Sequence, residues 1–355
     1  MNVRRRTLLG TAVGLVAIVA LLVLALSASA GTSRSNGTDI VGAGSTFAAP
    51  LITAWYQYYN PKAGVNVSYN SIGSGGGIAA ITARTVDFGA SDAPLTADQF
   101  TNCKGCIQIP VLLGSTAVLY NLPGVAQQIK LTGPVIADIY LGKITKWNDS
   151  QIASLNSGVN LPDLKITPAY RSDGSGTSFN FTDYLSKVSS EFGSKVGKST
   201  QPPFPIGIGA RGSSGVAGVV KGTAGAIGYA DVAYALNNKL RFAKVKNKGG
   251  VYATPGIRAA SAAASTITTM PADNGVSIVD PPVTKLNRLA YPISTFTWVI
   301  VPLEAKQAKP MKQFLLFAIS KTGQGLGTKL LYSPIPDVVR LAAAKSIAKV
   351  KQAGA

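Results

Sequence analysis

The stretch "DIVGAGSTFAAPLITAWYQYYN" at residues 39–60 decides the fold class. A short apolar run ends in glycine, a Ser-Thr turn follows, and a helix-like segment begins. Next come "VNVSYNS" (65–71), "GGIAAITART" (76–85) and "VDFGASD" (86–92). The order reads β-α-β-α-β, the signature of an α/β lobe.

The same alternation continues outward. "IQIPVLL" (107–113) and "STAVLYNL" (115–122) read as strands, and "VIADIYLGKI" (135–144) as a helix and turn. "ITPAYR" (166–171) is a strand, "FNFTDYLSKV" (179–188) a helix, and "AIGYADVAYA" (226–235) a strand with its exit. "STFTWVIVP" (294–302) reads as a buried strand and "AKPMKQFLLFAIS" (308–320) as an amphipathic helix. "SAAASTITTM" (261–270) is expected at the surface as helix or loop, and "RLAAAKSIAKVKQAGA" (340–355) as a surface helix fraying into a disordered end. At 355 residues the chain exceeds the size at which one core stops growing, so two domains are expected.

Residues 1–30 are expected to be a signal peptide: Arg4, Arg5 and Arg6 precede an apolar run from Leu8 to Leu26, and "ASA" at 28–30 resembles a cleavage site. A twin-arginine signal and an uncleaved anchor are the alternatives. Residues 31–37 are expected to be a flexible leader. The formal charge is +19, of which those three arginines supply three. The remaining lysines are scattered without a basic run, so the charge reads as a soluble exported surface, not a nucleic-acid footprint. With no histidine in the chain, Ser-His-Asp and Cys-His catalysis lose their central residue. The two cysteines, Cys103 and Cys106 in "CKGC", are expected to form a local disulfide in an exported chain; a redox motif would need a strand leading to a helix start, and the pair follows loop-like "LTADQFTN" (95–102) instead.

Three turns rich in Gly, Ser and Thr feed helices: "GAGSTF" (42–47), "SIGSGGG" (71–77) and "RSDGSGTS" (171–178). Glycine lets backbone approach a ligand, Ser and Thr cap, and the first-turn N–H groups stay free. One such turn is ordinary capping. Three of them, with Arg171 as a planar donor fork, suggest one convergent oxyanion site, to which Asp92 adds a carboxylate. "GIGARG" (207–212) follows proline-rich "QPPFP" and no strand, which removes the dinucleotide reading. "GSKVGKST" (193–200) is one residue short of a P-loop, and no nucleophile elbow surrounds Ser74 or Ser175. A hydrolase pairing Asp92 and Asp173 with Thr46 or Ser175 as nucleophile is the alternative class.

The sequence resembles the phosphate-binding subunits of bacterial phosphate ABC transporters, Pst type. The likeness spans residues 39–337 and runs in order through "VGAGSTFAAPL", "SIGSGGG", "TVDFGASDAPLT", "IADIYLGKITKWND", "YRSDGSGTSFNFTDYLS", "PIGIGARGSSGV", "GAIGYADVAYA" and "YPISTFTWVI". The resemblance implies an α/β periplasmic-binding-protein fold (type II): two α/β lobes joined by a two-stranded hinge, with the ligand in the cleft. Lobe I would comprise 38–120 plus 290–355, and lobe II 121–289. It implies phosphate binding by Ser45, Thr46, Phe47, Ser74 and Asp92 from one lobe and Arg171, Ser175, Gly176 and Thr177 from the other, with Asp173 orienting Arg171. Gly75 stands where the family often has serine. Asp92 would accept the proton that phosphate keeps near neutral pH, whereas sulfate has none to offer.

The function implied is high-affinity capture of inorganic phosphate in the periplasm or at the outer face of the cytoplasmic membrane, with delivery to membrane permease subunits of an ABC importer. No cofactor, metal, catalytic residue or nucleic-acid partner is expected, and the protein should be a monomer. The alternative reading is an exported phosphatase or phosphoester-binding protein.

Overall fold

The computed structural model describes residues 38–354, so the calls on 1–30 and 31–37 lie outside the described residues. Strand β1 (Thr38–Gly44) pairs in parallel with β2 (Val65–Ser71) and β3 (Phe88–Ser91), through helices α1 (Ala49–Ala63) and α2 (Ser74–Thr82). Helix α1 starts with Pro50 in its first turn and stops at Gly64, whose φ of 63° only glycine adopts readily. It buries Leu51, Ile52 and Trp55 against the sheet. Helix α2 lies close enough to β1 that a Cβ on Gly77 would fall 2.5 Å from the Gly44 Cα. The run of glycines in "SIGSGGG" therefore serves close helix–strand packing as well as the turn.

Then come α3 (Ala97–Cys103), β4 (Cys106–Tyr120), β5 (Lys130–Leu131), α4 (Gly133–Tyr140), α5 (Ser150–Leu155), β6 (Thr167–Arg171), α6 (Gly176–Val188), α7 (Ser190–Lys195), β7 (Ile208–Ala210), α8 (Gly212–Gly222), β8 (Ala226–Asp231) and α9 (Val232–Asn238). The remaining strands and α-helices are β9 (Arg241–Phe242), β10 (Lys244–Lys246), β11 (Tyr252–Ala253), α10 (Ile257–Ala264), β12 (Ser294–Pro302), β13 (Glu304–Ala305), α11 (Ala308–Ala318), α12 (Lys321–Leu326), α13 (Asp337–Ala348) and β14 (Lys351–Gln352).

The main sheet runs β2-β1-β3-β12-β4-β8-β6-β7, with β9 beside β4. Strand β4 makes two lobes out of one sheet. Its first part pairs antiparallel with β12, and from Thr116 onward it pairs with β8. The chain returns beside it at 291–294, where the Thr116 N–H donates to the Ile293 carbonyl at 2.8 Å. These two adjacent crossings are the hinge of the two-lobed type II arrangement.

One core gathers Phe47, Leu51, Trp55, Phe88, Trp298 and Phe314, and another gathers Tyr120, Tyr140, Trp147, Phe181 and Tyr229. Helix α10 bridges them, giving Ala260, Ala263 and Ala264 to the first and Ala259 to the second.

Four local expectations need correction. The two strands expected at 107–122 are one, because Gly114 is no turn: a Cβ there would strike the Phe47 ring at 2.8 Å. The ladder slips instead between Thr297 and Trp298, opposite Pro110, which has no N–H to offer. "LTADQFTN" is not loop but α3, capped by a reciprocal Thr96–Gln99 box. Part of "SAAASTITTM" is the buried end of α10, not a surface segment. The C-terminal tail, expected to fray, forms β14, which pairs with β13 while Val350 is buried.

The disulfide Cys103–Cys106 forms as expected, at the C-terminal end of α3. The Arg84 guanidinium donates to both sulfurs at 3.4 and 3.3 Å and to the Cys103 carbonyl at 2.7 Å.

Candidate functional site

Parallel strands deliver their carboxyl ends to one place, as open α/β sheets do. Residues 45–47 leave the end of β1, Asp92 follows β3, and Ser74 opens α2. From the other lobe, Arg171 ends β6, Ser175 caps α6 by accepting from the Ser178 N–H at 3.0 Å, and Gly176 and Thr177 form the first turn. All nine expected ligand residues therefore converge, and Ser45, Thr46, Phe47, Ser74, Asp92, Arg171, Ser175 and Thr177 are each buried.

Asp92 is the hub. Its Oδ1 accepts the hydroxyls of Ser45 at 2.6 Å and Thr297 at 2.7 Å, while Oδ2 lies 3.5 Å from the Thr177 hydroxyl of the opposite lobe. Its N–H donates to the Ser74 hydroxyl at 3.3 Å, and its carbonyl accepts from Asn180 Nδ2 at 2.6 Å. Burial pushes the Asp92 carboxyl up to about 6, against the opposing pull of the Ser45 and Thr297 hydroxyls and the Arg171 charge. The group is thus ionised above neutral pH and protonated in mild acid.

Arg171 is held by Asp173. Its Nε donates to Asp173 Oδ1 at 2.6 Å and its Nη2 to Oδ2, and the same Oδ1 accepts the Gly212 N–H at 2.9 Å. Burial pushes the Asp173 carboxyl up, but the bonds and charge of Arg171 outweigh it and leave Asp173 below the usual carboxylate range. With that fork occupied, Nη1 remains on the far side of the guanidinium, 3.4 Å from the Ser213 hydroxyl.

The donors are set out by helix starts. Among the described residues, the N–H groups of Thr46, Phe47, Ser74, Gly176 and Thr177 have no protein acceptor. Ser45 has its polar groups engaged within the protein: its N–H donates to the Ala90 carbonyl at 2.9 Å, and its hydroxyl donates to Asp92 and accepts the Ala48 N–H. It builds the wall of the site. The lobes meet tightly around these groups. The Gly75 N–H donates to the Gly174 carbonyl at 2.9 Å, and a Cβ on Gly75 would sit 3.1 Å from the Gly174 Cα. That approach gives a physical reason for glycine at position 75. A Cβ on Gly176 would lie 2.7 Å from the Asp92 nitrogen.

Sequence reasoning missed Thr297, Asn180 and Ser213. Ser213 sits in the first turn of α8, shares a 2.8 Å bond with the Thr46 hydroxyl and donates its N–H to the same oxygen at 3.1 Å. "ARGSSG" carries the same Gly-Ser turn as the three recognised segments, so its signal was present. Thr297 had none, since a threonine inside a buried strand reads as sheet propensity.

A convergent nest of unpaired N–H donors and a held guanidinium around one buried carboxylate is a site for an oxyanion that still bears a proton. The known proteins agree with the fold that builds it. A profile described as a PBP superfamily domain matches residues 28–322. The chain is 41% identical over 306 residues to Phosphate-binding protein PstS of Xylella fastidiosa, covering 85% of this chain and 83% of that one. It is 38% identical over 323 residues to Phosphate-binding protein PstS of Pasteurella multocida, covering 90% and 92%. The solved phosphate-binding protein from Stenotrophomonas maltophilia superposes with a TM-score of 0.69 at 20% identity, covering 87% of this chain and 93% of that one, a likeness of fold. By these matches along nearly its whole length, the chain belongs to the PBP superfamily and, within it, to the PstS family of phosphate-binding proteins.

Proposed function

We propose that this protein captures inorganic phosphate between its lobes outside the cytoplasmic membrane and hands it, chemically unchanged, to the permease subunits of a phosphate ABC importer. The observation that carries the reading is Asp92: a buried carboxylate with one oxygen committed to Ser45 and Thr297 and the other facing the Thr177 hydroxyl. A fully ionised tetrahedral anion would meet that oxygen as a like charge, while hydrogen phosphate offers it a proton. The names of the relatives support the ligand.

In this reading Thr46, Phe47 and Ser74 donate from one lobe, and Arg171, Ser175, Gly176 and Thr177 from the other. Ser45 and Asp173 orient Asp92 and Arg171. We assign lobe I to 38–120 plus 290–355 and lobe II to 121–289, so that phosphate bridges the lobes and stabilises the closed state. Among the described residues no helix is long and apolar enough to cross a membrane.

Calorimetric titration with phosphate, sulfate and a phosphate monoester tests this function. One-to-one binding of phosphate, with sulfate rejected and the monoester neither bound nor cleaved, is expected. Release of free phosphate from the ester would overturn the transport reading in favour of an exported phosphatase.

A further inference from the structure

Three tyrosine hydroxyls hold three successive carbonyls of the turn that leaves β1. Tyr69 donates to the Ser45 carbonyl at 2.9 Å, Tyr234 to that of Thr46 at 2.7 Å, and Tyr332 to that of Phe47 at 2.6 Å. They come from β2, from α9 and from the segment between α12 and α13, so no local pattern brings them together.

Each carbonyl shares a planar peptide group with the N–H of the next residue, and the two point in opposite directions. Tyr69 therefore acts on the peptide that carries the Thr46 N–H, and Tyr234 on the one that carries the Phe47 N–H. Tyr332 acts on the Ala48 peptide, whose N–H donates to the Ser45 hydroxyl at 3.0 Å, which in turn donates to Asp92. The Thr46 and Phe47 N–H groups are two of those without a protein acceptor. A hydrogen bond to a peptide oxygen polarises its N–H and strengthens the bond made on the other side. Burial raises all three phenols, so they remain donors at any pH the protein meets.

We propose that Tyr69 and Tyr234 are positioning residues that set anion affinity by aiming and polarising the Thr46 and Phe47 amides, and that Tyr234 also latches the closed state. The latch follows from its place: α9 belongs to the 121–289 segment and the turn to the opposite lobe, so opening breaks the Tyr234 bond and leaves the Tyr69 bond intact. The inference rests on the phosphate reading above.

Tyr69→Phe and Tyr234→Phe remove one hydroxyl each and keep the ring. Each should weaken phosphate about three- to tenfold, the range for one neutral hydrogen bond. In Tyr234→Phe the loss should appear as faster dissociation in stopped-flow, with association and the melting temperature of phosphate-free protein unchanged. In amide proton–nitrogen spectra, Tyr69→Phe should move the Thr46 resonance with and without phosphate, and Tyr234→Phe the Phe47 resonance only with phosphate. Unchanged affinity in both variants would overturn the proposal. So would weakened affinity with unmoved Thr46 and Phe47 resonances, which would indicate general loosening. If the wild type binds no phosphate, the functional reading fails, and the latch with it. The Thr46 shift in phosphate-free Tyr69→Phe still tests the polarisation separately.

Discussion

Asp92→Asn separates the charge of the buried carboxylate from its shape. Oδ1 already takes the Ser45 and Thr297 hydroxyls at 2.6 and 2.7 Å, and an amide oxygen in the same place keeps both bonds. Only the Oδ2 position changes, from acceptor to donor. Phosphate then loses one charge-assisted hydrogen bond, about 1.5–3 kcal/mol, so its affinity should fall roughly 10- to 150-fold. Sulfate is relieved of a like charge in a dry site, where such juxtaposition costs several kcal/mol, and should gain on the order of 100-fold or more. Sulfate exclusion therefore relaxes more than phosphate binding weakens. Parallel calorimetric titrations at pH 8, with Asp92 ionised, read both numbers. Because burial lifts Asp92 to about 6, wild-type protein titrated at pH 5 should begin to accept sulfate, with Asp92 protonated and able to donate. A folded Asp92→Asn protein that binds phosphate and still rejects sulfate like the wild type would refute the proton-acceptor argument.

Other perturbations follow from the same geometry. The Asp92 carboxyl, raised from 3.8 to about 6, favours phosphate-free folded protein below pH 3.8, and that contribution is lost as pH rises to about 6. Stability of the wild type relative to Asp92→Asn should thus fall by about 3 kcal/mol across that window, as denaturant unfolding at several pH values would read; a difference that does not change with pH would contradict it. Gly176→Ala places a methyl 2.7 Å from the Asp92 nitrogen across the lobes, so phosphate should dissociate at least about tenfold faster while free protein melts as before. Near-normal dissociation would show that the lobes do not close this tightly. Arg171→Ala removes the buried cation beside Asp92 and strands Asp173, and should cost phosphate affinity more than about 100-fold. Reducing Cys103–Cys106, which closes a loop of three residues in separation, should leave the phosphate dissociation constant within about twofold. A tenfold loss would tie the disulfide to the site.

The strand–helix alternation of residues 39–92 could be read directly, because each element there is flanked by its own stop signal, such as Gly64 after α1. Ser175 as the cap of α6 and Asp92 at the end of β3 were legible for the same reason. Helix α3 was lost because seven residues carry too little periodicity, although its Thr96–Gln99 box was there to be read. The single long β4 was hidden by Gly114, whose missing side chain answers to the Phe47 ring and not to a turn.

By itself, then, the amino-acid sequence determined the α/β class, the glycine-rich helix starts and the residues that supply donors, because capping, turn chemistry and strand alternation act over a few neighbouring residues. What tertiary structure decided is which oxygen and which N–H remain free. Thr297 reaches Asp92 from 205 residues away, and only because β12 is inserted between β3 and β4. Tyr234 and Tyr332 reach the turn after β1 from 188 and 285 residues away. Hydrogen-bond saturation depends on which groups meet in space, and sequence distance says nothing about that.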